Sequence, residues 1–153
     1  MSDDGDQIAA ADLSGVSPEH FANLVRQASK EQLAEAMNDE AVRTKVLDEV
    51  FDRMGSRYRG GRSTDAVIHW KILDRPGGGY DLYENVLADG TCTVNKDKTR
   101  EPRVTISLSG PEFLRLASGN GSPTMMFFSG KLKLAGDIGF AAALSSLFDI
   151  PKG

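Results

Sequence analysis

Cysteine is almost missing from this chain. Cys92 is the only one, so no disulfide can close within the chain, and a reducing, cytoplasmic setting is the expected compartment. Its place in an alternating stretch marks it as a small packed side chain rather than a nucleophile. Histidine is scarce as well. His20 opens a helical stretch and His69 sits in a strand pattern, and neither has a cysteine, carboxylate or second histidine at ligand spacing, so no metal and no cofactor are expected. There is no Gly-x-Ser-x-Gly elbow to carry a serine nucleophile. No apolar run approaches the roughly twenty residues needed to cross a bilayer. The opening MSDDGDQ has neither a basic segment nor an apolar core, so no secretory signal is expected. The closing Ile150-Pro151-Lys152-Gly153 is not a peroxisomal address. The expectation is a protein that is not an enzyme.

What is present is ordinary in kind and uneven in distribution. Hydrophobic residues make up 40% and charged residues 26% of 153 positions, which suits one globular domain with an appendage. The net charge of −4 is concentrated in a strongly acidic first third. That argues against nucleic acid as a partner, while a mildly basic middle third leaves room for contact with an anionic surface.

Residues 1 to 16 are acidic, rich in small residues and read as loose. Ser17-Pro18 reads as an N-cap with proline in the first turn, followed by Phe21, Leu24, Val25 and Ala28 at helical spacing. Ser29 and Gln32 form a capping box for a second short helix carrying Leu33 and Met37. A third helix starts near Asp39, with Val46, Leu47, Val50, Phe51 and Met54 on one face and Gly55 at its end. Asp48 and Asp52, at i and i+4, read as a solvated face. The arginines at 53, 57, 59 and 62 flank Gly60-Gly61 but lack the Lys-Ser/Thr ending of a nucleotide loop, so they read as a solvated linker.

From Asp65 the period becomes two. Ala66, Ile68, Trp70 and Ile72 alternate with Val67, His69 and Lys71. Tyr80 to Leu87 forms a second strand, Asp89-Gly90 a tight turn into Thr91 to Val94, and Val104 to Leu108 a fourth strand. Consecutive hairpins predict an antiparallel meander. Ser109 and Glu112 read as a capping box opening a helix with Phe113 and Leu116. Ser122-Pro123 opens another, carrying Met125, Met126, Phe127 and Phe128, an adaptable apolar wall or core filling.

The stretch Phe127 to Phe148 then sets an alternating strand, a glycine break and an N-capping Asp137 before a helix over Ile138 to Phe148 that is apolar most of the way round. Such a helix must be covered on more than one side, by its own core, a partner or a ligand.

The segment Val104 to Phe148 resembles the sterol carrier protein 2 family, the sterol-transfer or non-specific lipid-transfer domain. The likeness rests on the serine-capped helix Ser109 to Gly119, the Pro-x-x-x-Phe-Phe-x-Gly turn Pro123 to Gly130, the Lys-Leu-Lys-x-x-Gly strand Lys131 to Gly136 and the apolar last helix. It extends upstream more loosely, to about residue 39. It implies an α+β fold, a five-stranded mostly antiparallel sheet covered by helices that enclose an apolar tunnel for sterols, fatty acids or acyl-CoA. The expected organisation is an acidic extension with two short helices over 1–38 and the lipid-binding domain over 39–153. Trp70, Phe113 and Leu116 are candidate lipid-binding residues. So are Met125, Met126, Phe127 and Phe128, and, from the last helix, Ile138, Phe140, Ala141, Leu144, Leu147 and Phe148. The expected partner is a lipid, with no nucleic acid. Transient contact with a membrane surface, a partner enzyme that receives presented substrate, and a homodimer remain open.

Overall fold

The computed structural model describes residues 18–56, 58 and 64–142. The expectations for the first 17 residues, for the linker arginines beyond Arg53 and for the last helix beyond residue 142 lie outside them.

Three helices open the described chain: α1 (Pro18–Gln27), α2 (Lys30–Asn38) and α3 (Glu40–Ser56). Ser29 caps α2 as a full capping box, its hydroxyl accepting from Gln32 N at 3.1 Å and Gln32 Oε1 accepting from Ser29 N at 2.8 Å. Asp39 satisfies two amides at the start of α3, Ala41 N at 3.1 Å and Val42 N at 3.3 Å. Leu24 and Val25 of α1 and Leu33, Ala36 and Met37 of α2 are buried in the same core as Val46, Leu47, Val50 and Phe51 of α3. Helix α3 runs one residue past Gly55. A side chain at Gly55 would lie 3.3 Å from the Cys92 carbonyl oxygen, so this glycine lets the helix approach the sheet closely.

The sheet has five strands in the order β3-β2-β1-β4-β5. They are β1 (Ala66–Leu73), β2 (Asp81–Ala88), β3 (Thr91–Asn95), β4 (Val104–Ser109) and β5 (Leu132–Gly136). Asp89 and Gly90 both have positive φ, 53° and 79°, the geometry of a tight turn whose twist matches the flanking strands. Between β4 and β5 lie α4 (Gly110–Ala117) and α5 (Pro123–Phe128); after β5 comes α6 (Ile138–Ala142). Ser109 Oγ accepts from Glu112 N at 3.4 Å, but Glu112 does not complete a box; its carboxylate lies 3.9 Å from Lys131 Nζ.

The meander expectation is corrected. β4 does not pair with β3; it pairs with β1, in parallel, from Ile68 opposite Val104 to Leu73 opposite Ser109. The remaining pairings are antiparallel. The last β3 residue, Asn95, pairs with Glu84, which pairs with His69, and His69 pairs with Thr105 of β4. Residues 96–103 therefore pass across the sheet at the level of Glu84 and His69.

That crossing explains why β1 is buried on both faces. Ile68, Trp70 and Ile72 face the helices, yet Val67 and His69 are buried too. The Glu84 carboxylate, fully buried, accepts from Asn95 Nδ2 at 3.0 Å, from Thr99 N at 3.0 Å, from the Thr99 hydroxyl and from Arg100 N at 3.2 Å. His69 Nε2 lies 2.8 Å from it. Burial alone would raise the Glu84 pKa, but the bonds from Thr99, Asn95 and His69 outweigh it and bring it down to about 2. A second buried charge ties α3 to the far end of β1. Arg43 donates to the Ile72 and Leu73 carbonyls at 2.6 and 3.0 Å and to Asp81 Oδ2 at 2.8 Å.

Because the folded carboxyl of Glu84 sits below its ordinary value of 4.5, its stabilisation is complete above pH 4.5 and is lost as pH falls towards 2. The shift is worth about 3 kcal/mol. Urea unfolding from pH 6 to pH 2 should show the parent losing about that much more stability than Glu84→Gln; equal slopes would show that this carboxylate does not hold the crossing.

Candidate functional site

Phe51 is the hub of the helix-facing core. Its ring stacks on Tyr83 at 4.2 Å and on Phe113 at 4.8 Å, and meets Trp70 edge-on at 5.9 Å. Trp70 and Phe113 meet edge-on at 5.6 Å. These rings fill the space over β1 and β2. Over β4 and β5 the cover among the described residues comes mainly from α4, α5 and α6, and there the packing leaves a cavity of about 290 Å³.

Trp70, Ile106, Leu132 and Leu134 line the cavity from the sheet, Met54 from α3, and Phe113, Leu116 and Ala117 from α4. Pro123, Thr124, Phe127 and Phe128 line it from α5, and Ile138, Ala141 and Ala142 from α6. No described lining residue is charged. The only polar part of Trp70 is committed, since its Nε1 donates to Asn85 Oδ1 at 2.6 Å. Phe127, Phe128 and Ile138 are 39%, 78% and 53% exposed, so they form an open rim, whereas Phe113 and Trp70 are the buried floor.

Of the residues singled out from the sequence, Trp70, Phe113, Leu116, Phe127, Phe128, Ile138 and Ala141 are brought together around the cavity. Met126 is buried beside it, in the core. Met125 points to solvent, 68% exposed. Phe140 turns to the guanidinium of Arg103, 4.4 Å from its ring. Leu144, Leu147 and Phe148 lie outside the described residues. Met54, Ile106, Leu132 and Leu134 were missed as lining, although each carried its signal, an inward position in a helix or strand pattern. Only the parallel register beside β1 brings β4 and β5 under α5.

Asp137 caps α6, its carboxylate accepting from Phe140 N at 2.9 Å and from Arg103 Nε at 2.9 Å. Those bonds hold its carboxyl below the usual range. Lys131 and Lys133 are exposed and point away from the lining leucines of β5. Asp48 is less idle than its helix position suggested, accepting from Tyr83 Oη at 2.6 Å and from Lys96 Nζ at 2.8 Å. Burial pushes the Cys92 thiol up to about 11, which keeps it protonated and unreactive at neutral pH. The His69–Glu84 pair faces the other side of the sheet. Among the described residues no group of histidine, cysteine and carboxylate side chains could hold a metal, and no helix is long and apolar enough to cross a membrane.

The chain matches the model of the SCP-2 sterol transfer family over residues 61–149, and it belongs to that family. Its sequence is 28% identical to Sterol carrier protein 2 of Rattus norvegicus over 92% of this chain and 22% of that protein. It is 31% identical to Hydroxysteroid dehydrogenase-like protein 2 of Mus musculus over 56% of this chain and 17% of that protein. The chain thus spans about a fifth of the length of these curated relatives. Among solved structures, Sterol Carrier Protein 2 Like 2 from Aedes aegypti is similar, with a TM-score of 0.55 and 20% identity over 67% of this chain and 95% of that one. The stereoselective inverting sec-alkylsulfatase Pisa1 from Pseudomonas sp. is also similar, with a TM-score of 0.56 and 15% identity over 95% of this chain and 26% of that one. At those identities the likeness is one of fold.

Floor and rim should separate in stability measurements. Phe113→Ala should cost about 3–5 kcal/mol by removing a buried ring from the stack, while Phe128→Ala, on the exposed rim, should stay within about 0.5 kcal/mol. Urea titration of both variants checks the division; a comparable loss in each would contradict it.

Proposed function

We propose that this chain is a lipid carrier that holds the apolar part of its ligand in the cavity beneath α5 and performs no chemistry on it. The observation that carries the proposal is an open apolar cavity with no charged described lining residue, in a member of the SCP-2 sterol transfer family. The lipid-binding residues are Trp70, Phe113, Leu116, Phe127, Phe128, Ile138 and Ala141, joined by Met54, Ile106, Leu132 and Leu134. A cytoplasmic carrier of this kind needs no cofactor.

An apolar cavity with an open rim suits an acyl chain. A cavity of 290 Å³ has room for at least about ten methylene-sized groups at the ~30 Å³ a water molecule takes in the liquid. A fatty acid or acyl-CoA can place that much of its tail inside and leave its headgroup at the rim. Burying about ten methylenes contributes about 8 kcal/mol before the entropy of immobilisation is subtracted.

One observation favours a second reading, an accessory unit presenting lipid or steroid substrates to an enzyme: its relatives are several times longer and include dehydrogenase-like proteins. Transfer of a fluorescent fatty acid between vesicles by the isolated chain supports the carrier; binding without transfer, and a stable enzyme partner, supports the accessory unit.

Trp70 is the only tryptophan and serves as the reporter. Titration with saturated fatty acids should change its emission, with affinity rising with chain length. Ile138→Asp, at the exposed rim, should weaken binding at least severalfold without unfolding the chain. An affinity independent of both chain length and this substitution would contradict the assignment of the cavity.

A further inference from the structure

The cavity wall carries one uncommitted hydrogen-bonding side chain among its described residues. Trp70 Nε1 is held by Asn85 at 2.6 Å, and the Met54 thioether is at most a weak acceptor. That leaves the hydroxyl of Thr124. It lines the cavity, is exposed and makes no hydrogen bond among the described residues. Within α5, Thr124 precedes Phe127 and Phe128 by three and four residues, so all three share one face of the helix. This face is the rim. A hydroxyl placed there, above a floor of Trp70, Phe113 and Ile106, has apolar surface on its inner side and water on its outer side.

We propose that Thr124 is the polar anchor at the cavity mouth, hydrogen bonding to the alcohol, carboxyl or ester oxygen of a singly tailed amphiphile and fixing it tail inward. This rests on the lipid-carrier reading. Among the described residues the floor offers no uncommitted polar side chain, so burying the head there would leave its oxygen without a partner from them, whereas the opposite orientation satisfies it. The threonine hydroxyl both donates and accepts. It therefore suits a neutral oxygen as well as a carboxylate and selects a polar end without selecting its charge.

The test uses the full chain, its Thr124→Val and Thr124→Ser variants, and two probes equal in heavy atoms, decanol and undecane, with Trp70 emission as the readout. Valine keeps the shape of the side chain and removes the hydroxyl; serine keeps the hydroxyl. Thr124→Val should bind decanol roughly two- to tenfold more weakly, the range of one hydrogen bond, and undecane as the parent does. Thr124→Ser should retain the preference for decanol. If the valine variant binds both probes like the parent, or loses both alike, Thr124 is not the anchor although the cavity binds lipid. If the parent binds neither probe, the carrier reading fails and this inference falls with it.

Discussion

The structure depends on how one aromatic side chain divides the covered face of the sheet. Phe51, projected from α3 onto β1 and β2, is stacked between Tyr83 and Phe113 and fixes where the long helix sits. With 17 residues, α3 can cover only part of a five-stranded sheet. Among the described residues, the side beyond Trp70 is left to helices of eight and six residues and to Ile138–Ala142 of α6. Short helices bury little surface, and those bridging β4 and β5 enclose a void instead of filling it. Among the described residues the cavity lies where this cover is shortest, and the same aromatic cluster that stabilises the core supplies its floor.

On the opposite face the chain meets a different constraint. Joining β3 to β4 across two intervening strands places a polar segment on the sheet, where its amides would go unsatisfied. Glu84 answers this by accepting from the segment's own backbone at Thr99 and Arg100. The parallel β1–β4 pairing, and with it the position of β5 under α5, follows from that crossing. A buried carboxylate on one face therefore helps determine where the apolar cavity lies on the other.

Much of this was legible in the sequence. The capping box at Ser29, the Asp89-Gly90 turn, the alternation of β5 and the cap at Asp137 are local signals, and each appears where its residues stand. What could not be read was the pairing of distant segments. His69 and Glu84 are fifteen residues apart and became partners only through the β1–β2 register, so a histidine without local ligands turned out to face a carboxylate. The buried Arg43 carries no local signal of its role, since its acceptors are carbonyls at the end of a strand some thirty residues on. The meander failed for the same reason. A polar loop after β3 gives no sign of whether the chain returns beside β3 or crosses to the far side of β1. Among the candidate site residues, Met125 and Phe140 were selected from the density of apolar residues in one stretch; Met125 is exposed and Phe140 lies against Arg103, and neither is among the described lining residues.

In the proposed carrier, the void under α5 holds the hydrocarbon part of a lipid. A crystal structure of the chain with a fatty acid brominated near its methyl end, read by anomalous scattering, tests it most directly. The bromine should lie among Trp70, Ile106 and Phe113, with the carboxyl end towards Thr124 and Phe128. Bromine on the outer surface, or an empty cavity beside a saturating ligand, would contradict it.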